Sequence, residues 1–227
     1  MRIELRHKYL SKTRYTRYQQ ATQYNLLKAK QLYNANIRLA QAFHPLLTQF
    51  EVVLRNSIHR VLTIHFNDGN WVLNQKNGFM SHPSLSKSRY FLKESILNSE
   101  RKCHRRKLST TNARLLADQT LGFWTAFFLS HHYALLNGCP MKAFPNKLPS
   151  ENRATIHSKL EKLKDFRNRI NHCEPICFKG SIIDCSIAED IHQTLYELIS
   201  WLDPKIIPFF SSIDNVPNKI RQITKIS

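Results

Sequence analysis

Apolar positions along this chain recur at the spacing of an α-helix, and they predict helices almost throughout. Ile156, Leu160, Leu163, Phe166 and Ile170 follow at steps of four, three, three and four, which makes one apolar stripe. Pro149-Ser150-Glu151 supplies its start, with Ser150 as N-cap and Glu151 near the positive helix end. Pro175 forces Glu174 out of the α region, so this helix ends close to His172. Residues 21–66 predict two helices. Leu26, Leu27, Ala29, Leu32 and Ile37 stripe the first, and Phe43-His44-Pro45 marks a break or a new start. The dense apolar run from Leu46 to Phe66 predicts a central, buried helix. A turn-rich connection over 67–84 follows, with Asp68-Gly69-Asn70 turning the chain and Trp71 and Val72 docking on the core.

Further helices are expected from about Leu85 to Arg101 and from Asn112 to Leu136. Asn137-Gly138 stops the second as a left-handed cap, reinforced by Pro140. Leu121, Phe123, Trp124, Phe127, Phe128 and Leu135 give it a broad apolar surface for a core or a dimer interface. Residues 178–185 include a short extended stretch. Ser186-x-x-Glu189 reads as a capping box, and Ile191, Leu195, Leu198, Ile199 and Leu202 stripe the helix it opens, up to Asp203-Pro204. Ile206 to Phe210 packs back as a short helix, and a basic C-terminal tail with Lys219, Arg221 and Lys225 is expected to be partly mobile. The fold class is all-α: a basic N-terminal arm over 1–20, one helical domain over 21–212, and the tail over 213–227.

Composition adds a folded core and, by charge alone, a class of partner. Hydrophobic content of 42%, with 13 Phe and 3 Trp, excludes a disordered tail. With 34 Lys and Arg against 16 Asp and Glu, the formal charge is +18, a field that favours polyanions. Nucleic acid is the expected partner. No apolar run approaches the roughly 20 residues of a membrane span, and the basic N-terminus does not read as a secretory leader. Within 1–20, Arg2, Arg6, Lys8, Lys12, Arg14 and Arg17 interleave with Tyr9, Tyr15 and Tyr18, as in an arm that grips phosphates and stacks on bases; a solvated extension is the alternative. Arg101, Lys102, Arg105, Arg106 and Lys107, with His104 among them, form the densest positive cluster and read as a phosphate-binding loop. The five cysteines lack a CxxC pair and read as free thiols of a reducing cytoplasm. His172, Cys173, Cys177 and Cys185 match no standard zinc spacing, and His131-His132 lacks companions at ligand spacing, so neither a metal nor a cofactor is expected.

Chemistry collects at the end of the helix that closes near His172. Phe166-Arg167-Asn168-Arg169-Ile170-Asn171-His172-Cys173-Glu174-Pro175-Ile176 gathers two Arg, two Asn and a His where helix becomes loop. The Arg-x-x-x-x-His spacing alone is a weak signal, since Arg2/His7 and Arg60/His65 repeat it. On an ideal helix two residues five apart lie about 140° apart. Either the helix loosens before His172, or a second copy completes the site across a two-fold axis.

Residues 167–176 resemble the signature segment of the Abi-like proteins, bacterial abortive-infection proteins within the HEPN group of all-helical ribonucleases. Asp118-Gln119-Thr120-Leu121-Gly122-Phe123-Trp124-Thr125 is similar to that family's Thr-x-Gly-Phe-Trp helix, and Phe50-Glu51-Val52-Val53-Leu54-Arg55-Asn56-Ser57-Ile58-His59 to its Glu-x-x-Leu-Arg-Asn helix. Cys173 stands where the family often has a second His. The resemblance implies a HEPN-like helical bundle with peripheral helices, and a homodimer whose two motifs meet in a composite site. It also implies phage defence or growth arrest, as in a toxin–antitoxin pair, with a restraining partner that is a small non-coding RNA in some relatives.

Two functions of different class follow. In a metal-independent endoribonuclease the RNA 2′-OH is the nucleophile, His172 the general base or acid, and Arg167 the group that steadies charge on the phosphate. Asn168 orients the His or the phosphate, and Arg169 binds the RNA backbone. Arg55, Asn56 and His59 either line the RNA site or satisfy buried polar partners. The alternative is a non-catalytic RNA-binding protein that retains the fold and the basic surface.

Overall fold

The computed structural model describes residues 3–226, with only the backbone of Ile3, Glu4, Arg6 and His7. Arg2 therefore lies outside the described residues. The protein is all-α: 74% of it is helical and 2% is strand. The chain folds as two compact units, one of Met1–Thr48, Asp165–Tyr196 and Ile207–Ser227, the other of Gln49–Lys164 and Glu197–Ile206. Three long helices run through both: α3 (Leu26–Phe66), α9 (Arg153–Asn171) and α10 (Ser186–Leu202).

The first unit begins with α1 (Ile3–Leu10) and α2 (Lys12–Ala21). The expected arm is thus helical, and Tyr15 and Tyr18 are each 1% exposed. Tyr33 packs edge-on against both rings, at 5.9 and 5.2 Å, so both are held inside the fold and not presented on an open arm. Tyr9 alone of the three is exposed. No break occurs in α3 at Pro45. Leu39, Phe43, Leu46 and Leu47 bury the helix on both sides of the proline, and the Thr48 hydroxyl donates back to the His44 and Pro45 carbonyls at 2.8 and 3.1 Å. Continuous burial outweighs one missing backbone bond. A hairpin of β1 (Phe178–Lys179) and β2 (Ile182–Ile183) pairs Phe178 with Ile183, in the stretch read as extended. The unit closes with α11 (Ile207–Ile213) and α12 (Val216–Thr224). The tail read as mobile is this last helix, held by buried Val216, Ile220 and Ile223.

The second unit packs α4 (Trp71–Asn74), α5 (Phe91–Arg105), α6 (Asn112–Asp118), α7 (Leu121–Ala126) and α8 (Ser130–Leu135) around an aromatic core. Trp71 meets Phe127 edge-on at 5.9 Å, and Phe66 stacks on Phe79 at 5.6 Å. The docking of Trp71 and Val72 is as expected, both fully buried. The single helix expected over Asn112–Leu136 is three, because Gln119, Thr120 and Leu129 are extended. The first break has a polar cause. Ser99 and Lys102 donate to the Asp118 carboxylate at 2.6 and 2.8 Å, while the Gln119 amide donates to Ser99 and to the Leu115 carbonyl. Asn137 and Gly138 are left-handed, as their sequence predicts.

Candidate functional site

The candidate site forms where α9 ends. Asn152, not Ser150, caps its start: the Asn152 side chain accepts from the Ala154 and Thr155 N–H groups at 2.8 and 3.2 Å. At the other end the His172 N–H still donates to the Asn168 carbonyl at 2.9 Å. The chain turns one residue later, with Cys173 left-handed at φ 53°. The Cys173 N–H donates to Ile170 at 2.9 Å and the Glu174 N–H to Arg169 at 2.8 Å, the two bonds of a Schellman cap. Cysteine holds the position that glycine usually takes.

Arg169 is committed to this cap. Its guanidinium donates to the Glu174 carboxylate at 3.3 Å and to the Pro175 carbonyl at 2.8 Å, so it fastens the loop. Further holds come from the same unit. Buried Asn36 accepts from the Ile176 N–H at 2.8 Å. Arg14 donates to the His172 carbonyl at 3.5 Å, and Arg17 donates to the Gly180 carbonyl while lying 4.6 Å over the Phe178 ring. Asn36, Arg14 and Arg17 escaped sequence reasoning as parts of the site; the spacing of Arg14 and Arg17 on one face of α2 was the available signal.

The result is a rigid helix end that exposes Asn168 and His172 and leaves Arg167 half-buried. Because α9 keeps its hydrogen bonding through His172, Arg167 and His172 stay about 140° apart around its axis. Loosening of the helix is thereby removed as a way to join them.

Other predicted residues belong to the second unit. The Trp71 indole donates to His59 Nδ1 at 2.9 Å, and burial lowers the His59 pKa. His59 is a neutral acceptor for a buried Trp, and Arg55 donates to Asn56 at 3.3 Å. The cluster 101–107 is not a loop: Arg101, Lys102 and Arg105 form the last turn of α5, with Arg106 and Lys107 just beyond. Lys102 is paired with Asp118 at 2.8 Å and Arg101 with Glu94 at 3.7 Å. His104, Arg105, Arg106 and Lys107 are exposed, and an open groove of about 960 Å³ runs along Arg101, Lys102, His104 and Arg105. These residues can hold a polyanion by its phosphates.

His132 is fully buried. Burial pulls its pKa down to about 4, against a hydrogen bond to the Ala126 carbonyl at 2.8 Å. It is a neutral core histidine. Cys139, Cys177 and Cys185 are buried thiols pushed up to about 11, 12 and 11 by burial, whereas Cys173 is exposed. Among the described residues no group of three or more His, Cys, Asp or Glu could hold a metal ion, and no helix is long and apolar enough to cross a membrane. Compared with protein-family models, with curated proteins and with solved structures, the chain finds no match.

Proposed function

We propose that this chain is an endoribonuclease needing no metal, with a HEPN-like fold, in which Arg167 and His172 carry RNA cleavage from two copies of the chain. The observation that carries the reading is the helical hydrogen bond from the His172 N–H to Asn168, directly after the last residue of α9. It presents an exposed imidazole on a fixed support and keeps Arg167 of the same chain on another face. A second copy related by a two-fold axis supplies the missing half. His172 takes the proton of the RNA 2′-OH as its oxygen attacks the phosphorus. The bond from phosphorus to the 5′ oxygen breaks, and that oxygen receives a proton from the second His172. The products are a 2′,3′-cyclic phosphate and a 5′-hydroxyl. Arg167 stabilises charge on the phosphate oxygens, Asn168 orients the imidazole, and Arg169 positions the loop. The basic groove at the end of α5 suits RNA, either the substrate or a small RNA that restrains the enzyme in phage defence.

The test compares wild type with His172→Ala on total RNA in EDTA, with binding measured alongside. The expected result is a loss of cleavage of about 10²–10⁴-fold in the variant, with affinity changed by less than about 2-fold. Equal cleavage by both proteins would sink the assignment. Tight binding without cleavage by either would favour the non-catalytic RNA-binding reading, for which the separation of Arg167 from His172 within one chain is the supporting observation.

A further inference from the structure

A cavity of about 480 Å³ opens beside the candidate site in the first unit, and Cys173, the residue after His172, is part of its wall. Its size falls in the range of roughly 300–1,000 Å³ typical of small-ligand sites. Ile37 and Ile170 supply apolar sides, and Tyr33 and Tyr18 supply aromatic surface. Ile37 is 41% exposed, so this apolar surface is open to solvent. Tyr18 is 1% exposed as a whole, and what it shows of itself lies in the lining of this cavity. At the rim, Gln41 and His44 are exposed, and their side chains have no hydrogen-bond partner among the described residues.

We infer that this cavity receives one unpaired nucleobase of the RNA strand next to the cleaved phosphate, and so sets base preference. The inference rests on the ribonuclease reading above. A nucleobase is a flat apolar ring with a polar edge, which matches aromatic and isoleucine walls that include a Tyr, with an amide and an imidazole at the rim. Charge complementarity adds to shape: exposed Arg14 and half-buried Arg17 lie on α2 with Tyr18 and hold the loop at the cavity. A base seated against Cys173 leaves its own phosphate within the span of one nucleotide of His172.

The test uses the full chain carrying His172→Ala, so that RNA survives, and measures binding of eight-nucleotide homopolymers of A, C, G and U. An oligomer with abasic sites is the reference. The expected result is one base bound about 10-fold better than the abasic reference. Adding Tyr18→Phe, which keeps the ring and removes the hydroxyl, lowers that preference about 3- to 10-fold. Adding Ala40→Phe, which fills the cavity, erases it, and binding of the abasic oligomer stays the same in all three proteins. Preference unchanged by either substitution, or absent at the start, overturns the inference. So does a change of oligomeric state in Ala40→Phe with base preference unmoved, which would make a second copy the occupant. A wild type that binds RNA with base preference but never cleaves it refutes the ribonuclease reading and leaves the pocket standing; failure to bind any RNA refutes both.

Discussion

At the scale of single residues, Cys173 joins the stability of the site to its geometry. It adopts φ 53°, a conformation that costs a residue with a Cβ of order 1 kcal/mol and costs glycine almost nothing. The Schellman cap needs that conformation, because only there do the Cys173 and Glu174 N–H groups reach Ile170 and Arg169. Cys173→Gly is therefore expected to stabilise the protein by about 0.5–1 kcal/mol, and Cys173→Val to destabilise it by at least as much. Denaturant unfolding of the two variants checks this, and a Gly variant less stable than wild type would show that the thiol makes a contact outweighing the strain. The same substitution leaves His172 at the end of α9, since its bond to Asn168 precedes the turn.

Among the elements, α12 depends on one carboxylate. Asp214 accepts from the Val216 N–H at 2.9 Å, at the start of α12. It also accepts from His192 Nε2 at 2.6 Å and from the Tyr196 hydroxyl at 3.0 Å, both on α10. Burial, opposed by a Ser211 hydrogen bond and helped by this carboxylate, pushes the Tyr196 phenol up to about 12, so it remains a donor at any physiological pH. Asp214→Ala is expected to cost about 1–2 kcal/mol by leaving partly buried donors unmatched, and Asp214→Asn less. Hydrogen exchange should then show lost protection in 216–224 while α9 is unaffected; protection lost equally in α9 would refute the local account.

The elements also show what was legible in the sequence. The end of α9 could be read because Pro175 and the polar run 167–172 act locally. The extended stretch within 178–185 and the left-handed Asn137-Gly138 cap were legible for the same reason, though not the pairing of that stretch into a hairpin. Three features were not. The continuity of α3 through Pro45, the breaks at Gln119 and Thr120, and the burial of Tyr15 and Tyr18 all depend on partners far along the chain, among them Ser99, Lys102, Tyr33 and Phe178. The candidate site divides likewise. The exposure of His172 followed from its place at a helix end, whereas the commitment of Arg169 to Glu174 and Pro175 depends on a turn that spacing does not reveal.

For the molecule as a whole, the controlling quantity is a formal charge of +18. That excess already sets each acidic residue against a basic one, as in the pairs Lys102–Asp118, Arg101–Glu94 and Arg169–Glu174, so all of it belongs to basic residues in surplus. Arg105, Arg106 and Lys107 form an exposed block; only Arg106 of the three lies near enough to a described carboxylate, Asp118, to lower its pKa. Each phosphate neutralised on single-stranded RNA contributes about 0.7 to the slope of log affinity against log salt. Replacing these three residues with Gln is therefore expected to flatten that slope by about 2 and to weaken binding of every RNA sequence to a similar degree. His172→Ala should leave the slope as it is, because the imidazole acts on a proton and not on the ion atmosphere. Titration of a labelled RNA between 50 and 300 mM salt, values set by the roughly 10 Å Debye length at 0.1 M, separates the two. An unchanged slope in the triple variant would move RNA binding away from the end of α5. The basic surface of α2 beside the site would then be the next place to test for phosphate binding.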